Sequence, residues 1–416
     1  MKISVIILKI KEKGVEGTIK AVVKRVCWKV NFCLFYIYKR LPMQENWIVM
    51  ESEGDLSDNS YALFDYMLKN GYMKKYHVIW MVDDVKKARE KTFPNTEFCT
   101  KFPDTINIKW AKVLACMHWF IYDHCNLMSN LYKRQEQQII NLWHGTGYKA
   151  AKGGVDKSKV KTTEDFLTSL GPLSSQSLSN GLQVPFEKIV VTGSPRLDYF
   201  FQDNEKIRLK VNEKFTFDRY KKIIFWMPTF RQSINKDISE DYLENSTGLP
   251  LFNTVNELIN FSEFLNRNNI LLVLKIHHLQ ENLPIFKQKL MNIVLLHDED
   301  LHELGIQLYQ FIPLSDALIT DYSSVSVDYL LLNKPIVYTL DDYEEYAQSR
   351  GFCLDNAINY MKGYHVYDEK GLEDSLIEIS NGVDRYAQDR DVMAKEFHSY
   401  RDGHASSRIL KLAGIL

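Results

Sequence analysis

The sequence lacks the short motifs of several common enzyme classes. It has no G-x-x-x-x-G-K-[S/T] loop, no G-x-G-x-x-G fingerprint, no H-E-x-x-H zinc motif and no G-x-S-x-G nucleophile elbow. Its six cysteines are scattered without a C-x-x-C pair, which is typical of free thiols in a reducing compartment. These absences argue against standard ATP-binding, dinucleotide-binding, zinc-dependent and serine-hydrolase functions, and we expect no disulfides.

The net charge of the chain is close to zero. The chain has 52 Lys and Arg against 53 Asp and Glu, a formal net charge of −1. The molecule as a whole therefore has no electrostatic bias toward nucleic acid, and any affinity for anions must be local.

Residues 1–40 depart from this balance. They contain ten Lys and Arg but only two Glu, interleaved with large apolar residues. No apolar stretch there approaches the roughly 20 residues of a spanning helix, and the first run is broken by Lys9 and lacks a signal-peptide cleavage site. Such a basic amphipathic segment is typical of helices on an anionic membrane surface. The alternative is a surface helix that packs its apolar side on the protein's own core.

The 416 residues, 45% of them hydrophobic, are enough for two cores. From about residue 46, short apolar runs alternate with longer amphipathic ones, which predicts an α/β protein with parallel sheets. The polar stretch 202–222 predicts a boundary between two hydrophobic cores. We therefore predict a basic segment at 1–42 and two domains at 43–205 and 206–416, whose last helix could pack back on the first domain.

The predicted strands are short and rich in β-branched or aromatic residues, as buried parallel strands are. In the first domain they lie at 47–50, 76–82, 119–122, 138–143, 166–168 and 188–191, with helices at 61–70 and 108–117. In the second domain they lie at 223–227, 270–276, 293–296, 317–320 and 336–338, with helices at 254–266 and 324–332.

Ligands gather at strand ends in open α/β sheets, and His144 follows such a strand. Gly145 and Gly147 allow a tight turn beside the imidazole, whose ordinary pKa of about 6.5 suits a general base. The alternative is a hydrogen-bonded scaffold histidine.

A second strand leads into Gly193-Ser194-Pro195-Arg196-Leu197-Asp198, which predicts a helix start with Ser194 as cap. The helix dipole does not favour a cation in the first turn, so Arg196 is a candidate anion-binding residue. Alternatively, Arg196 is solvated or paired with Asp198.

Cations and imidazoles follow two strands of the second domain. Arg231 follows the strand at 223–227, and Lys275 and His277 follow or end the strand at 270–276. If the two domains face each other, these three residues would line one wall of a cleft and His144 the other. Lys275 could instead be a buried amine, which would be costly unless paired.

A further strand runs directly into Thr320-Asp321-Tyr322-Ser323-Ser324 and a helix. Asp321 could cap this helix, and the N–H groups and hydroxyls of Ser323 and Ser324 would form a phosphate site at its positive end. Pure capping would explain Asp321 and one serine without requiring the other.

In this order the segments resemble the CDP-glycerol glycerophosphotransferase family of teichoic-acid primases, polymerases and related capsule enzymes. The resemblance covers residues 47–355 and rests on these groups: His144-Gly145-Thr146 with Lys149; Gly193, Pro195, Arg196 and Asp198; Pro228-Thr229-Phe230-Arg231; Lys275-Ile276-His277; Thr320-Asp321-Tyr322-Ser323-Ser324; Asp328-Tyr329; Lys334-Pro335; and Arg350-Gly351-Phe352. Gly147 and His278 stand where the family has proline.

The resemblance implies a GT-B fold, with two facing Rossmann-like domains, the first on the acceptor side and the second binding the CDP donor. It implies transfer of glycerol phosphate, or a related polyol phosphate, from CDP-glycerol or a similar CDP-polyol to a hydroxyl of a lipid-linked cell-wall or capsular polymer, with release of CMP. The enzyme would lie peripherally on the cytoplasmic face of the cell membrane, bind its anionic surface, and need no metal, cofactor or nucleic acid.

The resemblance also implies roles for particular residues. His144 and His277 would be catalytic. Donor phosphates would be bound by Arg231, Lys275, Thr320, Asp321, Ser323 and Ser324. Acceptor or phosphate positioning would fall to Gly145, Thr146, Lys149, Arg196 and Asp198. The alternatives are a GT-B glycosyltransferase that uses a UDP- or GDP-sugar and a non-catalytic membrane-docked scaffold.

Overall fold

The computed structural model describes residues 3–150, 163–229, 247–276, 284–288 and 290–416, with side chains from residue 16 onward. The chain forms two compact units. Unit 1 comprises Met1–His144, Lys161–Leu167 and Leu410–Leu416, and unit 2 comprises Gly145–Val160 and Thr168–Ile409.

Unit 1 begins with the long helix α1 (Ile3–Tyr38) and contains most of a parallel sheet. Its other helices are α2 (Asp58–Lys69), α3 (Val85–Ala88) and α4 (Ile108–Cys116). The strands are β1 (Gln44–Glu51), β2 (His77–Val82), β3 (Thr96–Thr100), β4 (Met117–Tyr122), β5 (Gln138–Asn141), β6 (Phe166–Ser169) and β7 (Ile189–Val191), in the sheet order β3-β2-β1-β4-β5-β6-β7. The registers from β3 to β6 are parallel, so the carboxyl ends of these strands lie at one edge.

Unit 2 contains a six-stranded sheet in the order β10-β9-β8-β11-β12-β13, again parallel. Its strands are β8 (Lys222–Trp226), β9 (Ile270–Leu274), β10 (Ile293–Leu295), β11 (Ala317–Thr320), β12 (Ile336–Thr339) and β13 (Tyr364–Val366). The helices are α5 (Pro172–Leu182), α6 (Glu205–Phe215), α7 (Val255–Arg267), α8 (Asp298–Leu304), α9 (Leu308–Phe311), α10 (Val325–Tyr329), α11 (Tyr343–Ser349), α12 (Glu369–Ser380), α13 (Ala387–Phe397) and α14 (Ala405–Leu412).

The core of unit 2 shows why these strands form. All five residues of β9 are apolar and buried, as is typical of a central parallel strand covered on both faces. Helix α7 packs Leu258, Phe261 and Leu265 into the same core. The start of α7 is fixed by a capping box between Thr254 and Glu257.

The predicted α/β class with parallel sheets is confirmed. Strand β11 coincides with the predicted range, and the predicted helix at 324–332 is α10 followed by a 3₁₀ turn at Leu330–Leu332. Strands β3 and β13 were not predicted. The domain boundaries at 42 and 205 stay predictions.

Helix α1 lies against α4 through its carboxyl half. Asn31 donates from Nδ2 to the Thr105 carbonyl over 2.8 Å and accepts from the Asn107 N–H over 2.7 Å. The Trp28 and Trp110 rings are 5.2 Å apart. Among the described residues, no helix combines the length and apolar character needed to cross a bilayer.

Candidate functional site

His144 lies just beyond the carboxyl end of β5, in unit 1. Its Nδ1 is 3.0 Å from the main-chain carbonyl oxygen of Asp123, which follows β4. A carbonyl oxygen only accepts hydrogen bonds, so Nδ1 carries a proton, and in the neutral form of the ring Nε2 is the proton acceptor. This tautomer is the one that a general base at Nε2 requires.

The Asp123 side chain is completely buried. Its carboxylate accepts the N–H of Ser60 over 2.7 Å and the N–H of Glu53 over 3.4 Å. Burial raises the pKa of Asp123 well above its ordinary value. A second imidazole, that of His124, lies with its ring 5.5 Å from the His144 ring and its Nδ1 3.5 Å from Glu53.

In unit 2, the turn at Gly145 and Gly147 packs directly on Ser324. A Cβ atom on Gly145 would overlap the Ser324 hydroxyl and lie 3.7 Å from Nη2 of Arg196. A Cβ atom on Gly147 would lie 3.1 Å from the Ser324 Cα, tighter than an ordinary contact. The two glycines therefore allow the turn to approach the backbone at Ser324, and Thr146 between them is buried.

The turn continues into a short antiparallel pairing with the Arg350-Gly351-Phe352 segment. Lys149 forms a β-bridge with Phe352, the Ala150 N–H donates to the Gly351 carbonyl over 3.1 Å, and the Cys353 N–H donates to the Tyr148 carbonyl over 2.8 Å. Two motifs about 200 residues apart in sequence thus support one another in unit 2.

Asp321 connects the ends of β8 and β11. Its carboxylate accepts the Thr229 N–H over 2.8 Å, the Thr229 hydroxyl over 2.6 Å and the Ser323 N–H over 3.1 Å. The predicted capping role is wrong in detail, because Ser324 occupies the N-cap position of α10. Thr320 donates its hydroxyl to the Met227 carbonyl over 2.8 Å, which adds to the same connection.

Arg196 is almost fully buried and paired. Its Nη2 lies 2.6 Å from Oδ2 of Asp328, and the guanidinium lies over the Tyr309 ring at 4.2 Å. The Tyr309 hydroxyl donates to the same Asp328 oxygen over 2.5 Å. The carboxylate partner of Arg196 is therefore Asp328 rather than Asp198, which was the alternative considered from sequence.

Asp198 instead fixes the start of α14. Its carboxylate accepts the N–H of Ala405 over 2.8 Å and the N–H of Ser406 over 2.9 Å. Burial raises the pKa of Asp198, although these hydrogen bonds act in the opposite direction. The segment that carries Arg196 and Asp198 is a 3₁₀ helix, Pro195–Phe201, rather than an α-helix.

Lys275 follows β9 and is 9% exposed. Its Nζ lies 3.0 Å from Oδ1 of Asp298, and its N–H donates to the Trp226 carbonyl over 2.9 Å. The buried amine is thus paired. The predicted site residues Arg231 and His277 lie outside the residues that the structure describes.

Asp123 and Asn59 both contribute to the surroundings of His144, and neither was predicted from the sequence. Asp123 directly follows the predicted strand at 119–122, so the strand-end rule applied to His144 would have found it. Asn59 lies inside a helix and had no comparable signal.

Two parallel α/β sheets with polar residues at the strand ends define a GT-B-like fold. The fold matches a solved structure of the wall teichoic acid polymerase TagF, with a TM-score of 0.71 and 21% identity over 95% of this chain and 96% of that chain. A TagF variant soaked with CDPG matches with the same TM-score. The predicted GT-B-like fold is confirmed.

The chain belongs to the CDP-glycerol:poly(glycerophosphate) glycerophosphotransferase family, which matches residues 33–413. It is 28% identical to a teichoic acid glycerol-phosphate transferase of Staphylococcus aureus, over 94% of this chain and 98% of that protein. It is also 28% identical to a teichoic acid poly(glycerol phosphate) polymerase of Bacillus spizizenii, over 79% of this chain and 82% of that protein. The predicted activity, a glycerophosphotransferase that uses CDP-glycerol, is confirmed at the level of the family.

Proposed function

We propose that this chain transfers glycerol phosphate from CDP-glycerol to a hydroxyl of a lipid-linked teichoic-acid-type polymer and releases CMP. The family and the names of its relatives support the donor and the reaction class. The observation that carries the chemistry is the hydrogen bond between His144 Nδ1 and the Asp123 carbonyl, since it leaves Nε2 as the proton acceptor.

His144 acts as the general base in this proposal. Its Nε2 takes the proton of the acceptor hydroxyl, and the oxygen attacks the phosphorus that bears glycerol. A new P–O bond forms, the bond from that phosphorus to the bridging oxygen breaks, and CMP leaves with the electron pair. General-base catalysis of this kind contributes about 10²-fold to 10⁴-fold to a rate.

The donor phosphates bind to unit 2 in this proposal. Ser323 and Ser324 lie where β11 leads into α10, and Lys275 is a buried cation at the end of β9. Arg231 and His277 are included among the residues proposed to bind the donor phosphates because of their sequence motifs. Negative charge grows on the leaving CMP oxygen, and fixed cations and donors stabilise such charge most effectively.

Arg196 takes a positioning role in this proposal. Its guanidinium is committed to Asp328 and lies close to the Gly145 turn, which in turn packs on Ser324. Arg196 thereby supports the loop at Ser323 and Ser324 indirectly, through Asp328 and the Gly145 turn.

Donor choice is tested by thermal unfolding of the purified protein with CDP-glycerol, CDP-ribitol or UDP-glucose. A ligand at 100 times its Kd adds about 2.7 kcal/mol to the free energy of unfolding. We expect CDP-glycerol to raise the Tm and UDP-glucose to leave it unchanged. Protection by UDP-glucose alone would assign the chain to the sugar-transferring GT-B enzymes.

We further propose that α1 binds the anionic cytoplasmic face of the cell membrane. The helix exposes Ile19, Val22 and Val26 at helical spacing, and each of these side chains is more than one third exposed. Exposed Lys20 and Lys29 lie on the same helix. An apolar stripe with neighbouring cations matches an interface of acyl chains and anionic headgroups.

The membrane proposal is tested by sedimentation with vesicles of phosphatidylglycerol and phosphatidylcholine. We expect Val22→Asp/Val26→Asp to abolish binding, because two carboxylates would have to enter the acyl boundary. Val392→Asp, at an exposed position of α13, is the matched control and should bind as wild type does. Unchanged binding of the double variant would contradict the proposal.

A further inference from the structure

Two buried asparagines hold the residue before His144 from both sides. Asn59, in the first turn of α2, donates from Nδ2 to the Trp143 carbonyl over 2.7 Å. The Trp143 N–H donates to Oδ1 of Asn141, the last residue of β5, over 2.8 Å. Asn59 is 1% exposed and Asn141 is 5% exposed, so water competes little for either bond.

Trp143 needs this support because its backbone lies in the left-handed region. Its φ is 53°, which is unfavourable for a residue with a large side chain. Without fixed partners, the backbone would relax toward negative φ and the peptide that leads to His144 would rotate. The Trp143 and His144 rings are 4.1 Å apart, so the imidazole would lose this contact as well.

The same asparagine is connected to His144 by a second route. Ser60, the residue after Asn59, donates its N–H to the Asp123 carboxylate over 2.7 Å. The main-chain carbonyl of Asp123 in turn accepts from Nδ1 of His144 over 3.0 Å. Helix α2 and the ends of β4 and β5 are therefore joined in a closed ring of hydrogen bonds that includes the imidazole.

We infer that Asn59 is a positioning residue for His144. Its amide holds the Trp143 carbonyl, keeps the strained peptide in place, and so sets the orientation in which His144 takes the acceptor proton. Asn59 acts through Trp143. The inference rests on the proposed role of His144 as general base.

The test is a double-variant cycle of Asn59→Ala and His144→Ala, read as the rate of CMP release from radiolabelled CDP-glycerol at saturating acceptor. We expect Asn59→Ala to lower kcat by about 10-fold to 100-fold, as small displacements of a catalytic group do. The KM for CDP-glycerol should not change. Asn59→Ala should have no further effect in the His144→Ala background, because the group that it positions is gone.

Asn70→Ala is the matched control. Asn70 follows the other end of α2 and makes the same type of bond, from Nδ2 to the Tyr66 carbonyl over 2.8 Å, on the exposed surface. The Asn70→Ala variant should keep the wild-type kcat and KM. The isosteric Asn59→Asp removes the donor but keeps the shape, so it should lose at least as much activity as Asn59→Ala.

Additive losses in the double variant would overturn the inference, since Asn59 would then act independently of His144. A wild-type rate for Asn59→Asp would also overturn it. If both Asn59 variants fail to fold, seen as the absence of a cooperative thermal transition, Asn59 is a structural residue and the inference is likewise overturned. A His144→Ala rate within about tenfold of wild type is a different result, which removes the base assignment itself.

Discussion

A Cβ atom on Gly145 would overlap the hydroxyl group of Ser324. The glycine that follows the candidate base thus lies directly on the loop proposed to bind the donor phosphates. Any side chain at position 145 must displace the Ser324 hydroxyl, although the residues are far apart in sequence. This contact within unit 2 gives a structural reason for the glycine in the His144-Gly145-Thr146 motif.

Gly145→Ala should therefore weaken donor use without unfolding the protein. The added methyl group rotates the Ser324 hydroxyl away and pushes its Cβ, and we expect kcat/KM for CDP-glycerol to fall by about 10-fold to 100-fold. Initial rates of CMP release across donor concentrations provide the measurement.

Two further variants separate this effect from a general loss of glycine. In a Ser324→Ala background Gly145→Ala should cost less, because the overlapping hydroxyl is absent. Gly181→Ala in α5 is the matched control, since its Cβ would lie 3.8 Å from the Cys353 Cβ, an ordinary contact. Wild-type kcat/KM for Gly145→Ala would contradict the account of this contact.

The buried pair of Arg196 and Asp328 should dominate the local stability of unit 2. Asp328→Ala leaves a buried guanidinium without its carboxylate, and breaking such a pair costs about 3–5 kcal/mol of unfolding free energy. Arg196→Met/Asp328→Leu replaces both partners with apolar groups and should recover most of that loss. Urea denaturation measures both. A loss of under about 1 kcal/mol in Asp328→Ala would show that the pair is unimportant for stability.

His398 should make stability fall in mild acid. Burial lowers the pKa of His398, and its Nε2 lies 2.8 Å from the Val327 carbonyl. The folded state therefore binds the proton less tightly than the unfolded chain, where the histidine pKa is about 6.5. The stability that the neutral ring contributes is present above that pKa and is lost as the pH falls below it.

The measurement compares Tm in wild type and His398→Gln from about pH 7.5 to about pH 5.5. Glutamine keeps an N–H donor but does not titrate, so its Tm should fall less than that of wild type. Buried carboxyls such as Asp123 and Asp198, whose pKa values are raised, are common to both proteins and cancel in the difference. An equal fall of Tm with pH in the two proteins would contradict this role of His398.

The sheets were largely predictable because buried parallel strands are continuous apolar runs, as in Ala317–Thr320. Strand β3 was missed because its sequence, Thr96-Glu97-Phe98-Cys99-Thr100, mixes polar and apolar residues. Strand β13 has only three residues. Neither carries the apolar run that made the other strands recognisable.

The types of side chain at the site were predictable, but their partners were not. Arg196 and Asp328 are 132 residues apart, and Asp198 and Ala405 are 207 residues apart. Local patterns identify a charge at the end of a strand, whereas its partner depends on how distant segments pack. The same reason explains why Asn59, a polar residue inside an amphipathic helix, gave no signal.

The role of His144 as the general base is measured by acceptor-dependent CMP release from CDP-glycerol by wild type and His144→Ala, with membranes or a lipid-linked glycan as acceptor. His144→Ala should lower the rate by about 10²-fold to 10⁴-fold, while CDP-glycerol should still raise the Tm of the variant. A His144→Ala rate within about tenfold of wild type would contradict His144 as the base.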